Sequence, residues 1–118
     1  MKGIKVSSRK AKGRHLQQKI RDVLLEQFKD QLVEDDIRST GMGQPGQDLL
    51  LSPTAQKLFP YAVECKCQEQ LGIWAAISQA EKNATKDLKP VVIFKKNHSK
   101  TYITLEFDEF LKILKNQK

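Results

Sequence analysis

At 118 residues and 13.5 kDa, 39% apolar and 30% charged, the chain is sized for one domain with a modest core. No apolar run approaches the roughly 20 residues of a membrane span, no apolar signal segment follows the basic N-terminus, and two cysteines one residue apart make no disulfide framework, so a cytoplasmic protein without a membrane partner is expected. The 21 basic and 14 acidic residues leave a net charge of +7, and the first 21 residues hold eight of the basic residues and no acid, the pattern of a basic segment that attracts a polyanion to a nearly neutral body.

Residues 1–12 are expected as a basic flexible arm and residues 13–118 as a single domain. From Gly13, the apolar residues Leu16, Ile20, Val23, Leu24 and Phe28 recur at spacings of three and four, which predicts a helix to about Leu32. A short strand near Ile37 precedes the glycine-rich loop 41–46. Residues 48–51 form a short apolar run opened by Asp48 and predict a buried strand; Pro53 starts a helical turn to Leu58, and Pro60 ends it. In Tyr61–Cys67 the residues alternate: Tyr61, Val63, Cys65 and Cys67 share a core face, and Ala62, Glu64 and Lys66 share the other.

Residues 70–84 predict a helix with Ile73, Ala76, Ile77, Ala80 and Ala84 as its buried stripe. Strands 90–95 and 100–105, joined by a turn at Asn97-His98-Ser99, predict a hairpin. Phe107, Phe110, Leu111 and Leu114 close the chain at helical spacing; this stripe packs on its own sheet or joins two copies. The fold class is α/β, a single mixed β-sheet flanked by helices in the order αβββαββα.

Chemistry concentrates at Asp48, Glu64 and Lys66. Glu64 and Lys66, two apart on a strand, could form a surface ion pair of little worth. Asp48 at the start of a buried strand is a cap or a ligand. If its strand lies beside that of Glu64, two carboxylates converge with one lysine. Such a pair suits Mg2+, which takes oxygen ligands and keeps several waters; Mn2+ can substitute. Lys66 beside the ion could orient or activate water. His15 and His98 lack zinc spacing and are expected at the surface.

Asp48 followed by Glu64-Cys65-Lys66 resembles the D…(D/E)xK signature of the restriction-endonuclease-like, PD-(D/E)xK, nucleases, with Gln47 where the family has proline. The surrounding order is similar to the archaeal-type Holliday junction resolvases and their phage relatives. Lys12-Gly13 and then Gln17 stand where the family has Lys-Gly and a helix-borne acid. Arg38-Ser39-Thr40-Gly41 matches its serine loop, Gln79 its post-signature helix glutamine, and residues 91–96 its apolar strand ending in Lys-Lys.

The resemblance implies a restriction-endonuclease-like core and a metal-dependent endodeoxyribonuclease that hydrolyses phosphodiesters in branched DNA as a homodimer. It implies Asp48, Glu64, Lys66, Gln79 and Gln17 as the catalytic set, and Asp48, Glu64 and the Cys65 carbonyl as metal ligands. A flap or single-strand repair nuclease, or a DNA-binding accessory protein with a decayed site, is the alternative. Lys10, Lys12, Arg14, Arg38, Ser39, Lys95 and Lys96 are expected to contact DNA. The host implied is bacterial or archaeal, or a phage of one.

Overall fold

The computed structural model describes residues 6–41, 46–85 and 87–117, without the side chains of residues 6–8. Helix α1 (Val6–Gln27) carries the first apolar stripe. Leu16 is buried, and Ile20, Leu24, Leu25 and Phe28 pack against the same core. The helix begins seven residues before the expected start, so residues 6–12 of the expected arm are helical, while Lys2 and Lys5 lie outside the described residues. Lysine and arginine are good helix formers, and no proline interrupts the segment. The helix also ends before Leu32, because the Gln31 and Leu32 N–H groups both turn back to the Phe28 carbonyl at 2.9 Å. Val23, expected in the stripe, is exposed, and Leu25 packs instead.

A 3-10 turn (Glu34–Asp36) leads into β1 (Ile37–Ser39), which pairs antiparallel with β2 (Leu49–Leu51). Residues 42–45 of the expected glycine-rich loop lie outside the described residues. Gly46 has a φ of 93°, a conformation glycine adopts without strain. Ser52 caps helix α2 (Pro53–Leu58): its hydroxyl accepts from the Ala55 N–H at 3.1 Å and donates to Asp36 Oδ1 at 2.7 Å. The other Asp36 oxygen accepts from the Val33 N–H at 2.7 Å. Ser52→Ala removes the cap and a partner of Asp36 together, at an expected cost of about 1–2 kcal/mol. The readout is a lower denaturant midpoint at unchanged slope; an unmoved midpoint refutes the role of the cap.

Strands β3 (Tyr61–Cys67) and β4 (Lys89–Lys95) run parallel, with Glu64 opposite Val92 and Cys67 opposite Lys95, and helix α3 (Ile73–Asn83) connects them. Strand β5 (Tyr102–Ile103) returns antiparallel along β4. The expected hairpin is present with a shorter second strand. Thr104 prolongs it by donating its N–H to the Val92 carbonyl at 2.8 Å and accepting from the Val92 N–H on its hydroxyl at 3.0 Å.

Both faces of this sheet are covered. Val63, Cys65, Val91 and Ile93 face the core that contains Leu16, and the small Ala76 and Ala80 of α3 pack on Val92. The central strand is therefore apolar at consecutive positions instead of alternating. Helix α4 (Phe107–Lys115) follows β5.

The architecture is α/β, with a three-stranded mixed sheet, a two-stranded antiparallel ladder and flanking helices. The expected single sheet is thus two ladders, and with α2 counted the order is αββαβαββα. No helix among the described residues is long and apolar enough to cross a membrane.

Candidate active site

The two ladders meet at Asp48. Its N–H donates to the Val63 carbonyl at 2.9 Å, and its Oδ2 accepts from the Cys65 N–H at 2.6 Å. The carboxylate thus takes the place a neighbouring strand's carbonyl would have on the edge of β3. The Asp48 carbonyl is held in turn by the Thr40 N–H at 3.0 Å and the Thr40 hydroxyl at 3.2 Å. Burial pushes the Asp48 carboxyl above its ordinary range, against the opposing pull of the Cys65 N–H, the Lys66 charge and the Gln17 amide.

Glu64 stands in the middle of β3 and is only 4% exposed. Its expected face is not an open one, because α3 covers it. The small side chains of Ala76 and Ala80 let that helix lie close to the sheet. Lys66 Nζ lies 3.5 Å from Glu64 Oε2 and is itself mostly covered. The Asn83 side chain near the C-terminus of α3 also favours the charged carboxylate. Glu64 Oε1 nevertheless has no partner within hydrogen-bonding distance among the described residues. Burial first, and the Asp48 charge second, push the Glu64 carboxyl up. Two carboxylates thus oppose each other's ionisation, with one lysine beside them.

Gln17 is buried on α1 and bridges toward Asp48. Its Oε1 accepts from the Ser39 hydroxyl at 2.8 Å, and its side chain favours the charged form of the Asp48 carboxylate. The chain Ser39–Gln17–Asp48 ties α1 and β1 to the site. Gln79 is not part of it: this residue is exposed on α3, and Asn83, one turn further along, is the α3 side chain that reaches Glu64. Asn83 was missed because the helix phase relative to β3 depends on which alanines touch the sheet. Burial and the two carboxylates hold the Cys65 thiol far above its ordinary range, so it stays neutral.

The donor chemistry fits a hard divalent cation. It comprises the Asp48 and Glu64 carboxylates, the latter with an oxygen that has no partner among the described residues, and the Cys65 carbonyl. A strand residue's N–H and C=O leave on the same edge, and the Cys65 N–H already points to Asp48. Among the described residues no group of three or more His, Cys, Asp and Glu is gathered for a metal. An ion here would keep several waters, as magnesium does.

A basic groove lies where β3 and β4 end. Lys12, His15, Lys19 and Lys95 line it with Asn97, and Arg9 extends it past Cys67 to Gln68. Arg9, Lys12 and Lys19 recur at helical spacing on one side of α1. Lys10 and Arg14, expected beside Lys12, are exposed on the opposite side of that helix; Arg38 is exposed on β1, and Lys96 is exposed beyond the end of β4. Of the expected DNA contacts the groove gathers Lys12 and Lys95, and Ser39 is engaged with Gln17. The i, i+3, i+6 and i+10 spacing of Arg9, Lys12, His15 and Lys19 was the sequence signal for the rest of the groove.

Comparisons with family models, curated proteins and solved structures give no significant match to this chain.

Proposed function

We infer that the chain is a magnesium-dependent endonuclease of restriction-endonuclease-like fold, acting on branched DNA and above all on four-way junctions. The buried Glu64 carboxylate, with one oxygen unpaired among the described residues and Asp48 and Lys66 beside it, carries this reading. Buried carboxylates ordinarily find partners for both oxygens, and paired acids with raised pKa values cluster at functional sites. The D…ExK spacing supports the same assignment, and the basic groove supports contact with a phosphate backbone.

In this reading Asp48, Glu64 and the Cys65 carbonyl would hold the cation. Once bound, the ion supplies charge neutralisation at the phosphate and a polarised water. Lys66 would orient a water for in-line attack at phosphorus, the water oxygen bonding to phosphorus as the 3′ oxygen leaves, so that a 5′-phosphate remains. Gln17, itself hydrogen-bonded to Ser39, positions Asp48. One observation favours a DNA-binding accessory protein instead: Gln17 brings an amide where the resemblance implies an acid.

The deciding experiment offers purified protein four-way, flapped, single-stranded and linear DNAs with Mg2+ or Mn2+. Paired nicks in the four-way junction are expected; preference for flaps selects the repair-nuclease alternative, and binding without any cutting refutes the enzyme. Lys12→Ala, Lys19→Ala and Lys95→Ala should each weaken binding to every DNA and lower the slope of log K against log salt by about one. An unchanged slope removes the groove from the interface.

A further inference from the structure

The register sets Lys66, Phe94 and Tyr102 in one row across β3, β4 and β5. Partners in register share a face, so Phe94 and Tyr102 stand on the side of the sheet that carries Glu64 and Lys66. Two strand spacings, about 10 Å, separate Tyr102 from Lys66 along this row. Phe94 is half-buried and packs on the cluster of Ala76, Ala80 and Val92. Tyr102 leans on Phe94, with ring centroids 6.0 Å apart and planes 32° from parallel. It nevertheless remains 55% exposed. The ring is thus fixed by one neighbour and otherwise faces water.

The turn before β5 is tied down. The Lys96 N–H donates to the Ser99 hydroxyl at 3.0 Å, and the Asn97 N–H donates to Glu69 Oε2 at 2.6 Å. A cleft of about 260 Å³ opens beside the two rings, lined also by Leu71, Lys95 and Lys96. Glu69 lines it too, with its carboxylate engaged by the turn. Lys95 lines the basic groove as well, so the cleft continues that groove past the end of β4. Bases of any sequence stack on aromatic faces while basic side chains follow the backbone. An apolar side chain needs no lysines at the rim, and a phosphate alone needs no rings. We propose that the Phe94–Tyr102 cleft seats one unpaired nucleobase of a strand whose phosphates lie along the groove of Lys12 and Lys95. The inference rests on the nucleic-acid contact proposed above and not on the cleavage chemistry. Where both hold, the seated base lies within about three nucleotides of the scissile phosphate, taking the stacked rise of about 3.4 Å. Branches with an unpaired base at that distance are then the favoured substrates.

Two single strands of equal length test this with the full chain, one of thymidylates and one with the same phosphates but no bases. The parent should bind the thymidylate strand about fivefold to a hundredfold more tightly, the range for one stacked base. Tyr102→Ala should remove that preference and leave affinity for the abasic strand unchanged. The slope of log K against log salt should not move, because stacking releases no counterions. Tyr102→Phe should keep the preference. Circular dichroism of both variants should match the parent's, since Tyr102 is already more than half exposed. Equal affinity of the parent for the two strands, or a loss in Tyr102→Ala that the abasic strand shares, overturns the proposal. A protein that prefers bases through Tyr102 yet cuts no DNA keeps this cleft and loses the nuclease. One that cuts four-way junctions yet binds both strands alike does the reverse.

Discussion

Asp48→Asn and Glu64→Gln should each abolish the proposed magnesium-dependent nicking of branched DNA while leaving binding intact or tighter. The expected rate falls to below about a thousandth of the parent's, the scale at which charge stabilisation at a reacting group is felt. Both changes keep the local shape. An asparagine oxygen still accepts from the Cys65 N–H, which Asp48 now bonds at 2.6 Å. What is lost is negative charge for the cation, and with it some repulsion of the phosphates. Lys66→Ala should reduce cleavage as severely without changing cation affinity, because in the proposed mechanism the lysine acts on water and developing charge. Calcium should support binding but not turnover, since it accepts looser oxygen geometry than magnesium. Cutting that survives Asp48→Asn would place the chemistry on other residues.

Glu64→Gln should also stabilise the cation-free protein near neutral pH, by on the order of 1 kcal/mol, the scale of an unsatisfied buried polar group. The sign follows from the raised Glu64 carboxyl, lifted by burial and then by Asp48. The folded chain binds this proton more tightly than the unfolded chain does. The ionised carboxylate therefore costs stability above its folded pKa, and the cost fades as pH falls from there toward the ordinary value of 4.5. Asp36 works in the other direction: its carboxyl is lowered by the Ser52 hydroxyl and then the Val33 N–H, so its contribution is present above the ordinary range and lost in acid.

Comparing the parent with Glu64→Gln isolates the first effect, and the gain in Tm should vanish near the ordinary glutamate pKa. Mg2+ at a hundredfold excess over its Kd should stabilise the parent by about 2.7 kcal/mol and leave Asp48→Asn and Glu64→Gln unmoved. Gln17→Glu adds a third acid beside Asp48 and should enlarge the cation-dependent shift. A parent whose Tm ignores Mg2+ and Mn2+ refutes the metal site without reference to any DNA.

The elements were legible where their signals are local. Alternation marked β3, β-branched residues marked β4, and Pro53 marked the start of α2, because each depends on neighbours along the chain. The spacing of Asp48 and Glu64-Cys65-Lys66 was likewise readable as a pattern. That Asp48 replaces a strand partner on the edge of β3 was not, since the bond to Cys65 joins residues seventeen apart. Glu64 looked like half of a surface ion pair; its burial comes from α3, whose alanines let the helix lie over that face.

The remaining differences are matters of phase. Moving the start of α1 to Val6 extends one continuous face that carries Arg9 and Lys12 together with Lys19 and turns Lys10 and Arg14 away. A turn's advance along α3 exchanges Gln79 for Asn83 beside Glu64. The stripe on α4 was visible at helical spacing, but its direction was not: the Glu109–Lys89 pair turns it outward. Periodicity states which residues share a face, and only contacts between elements state which way the face points.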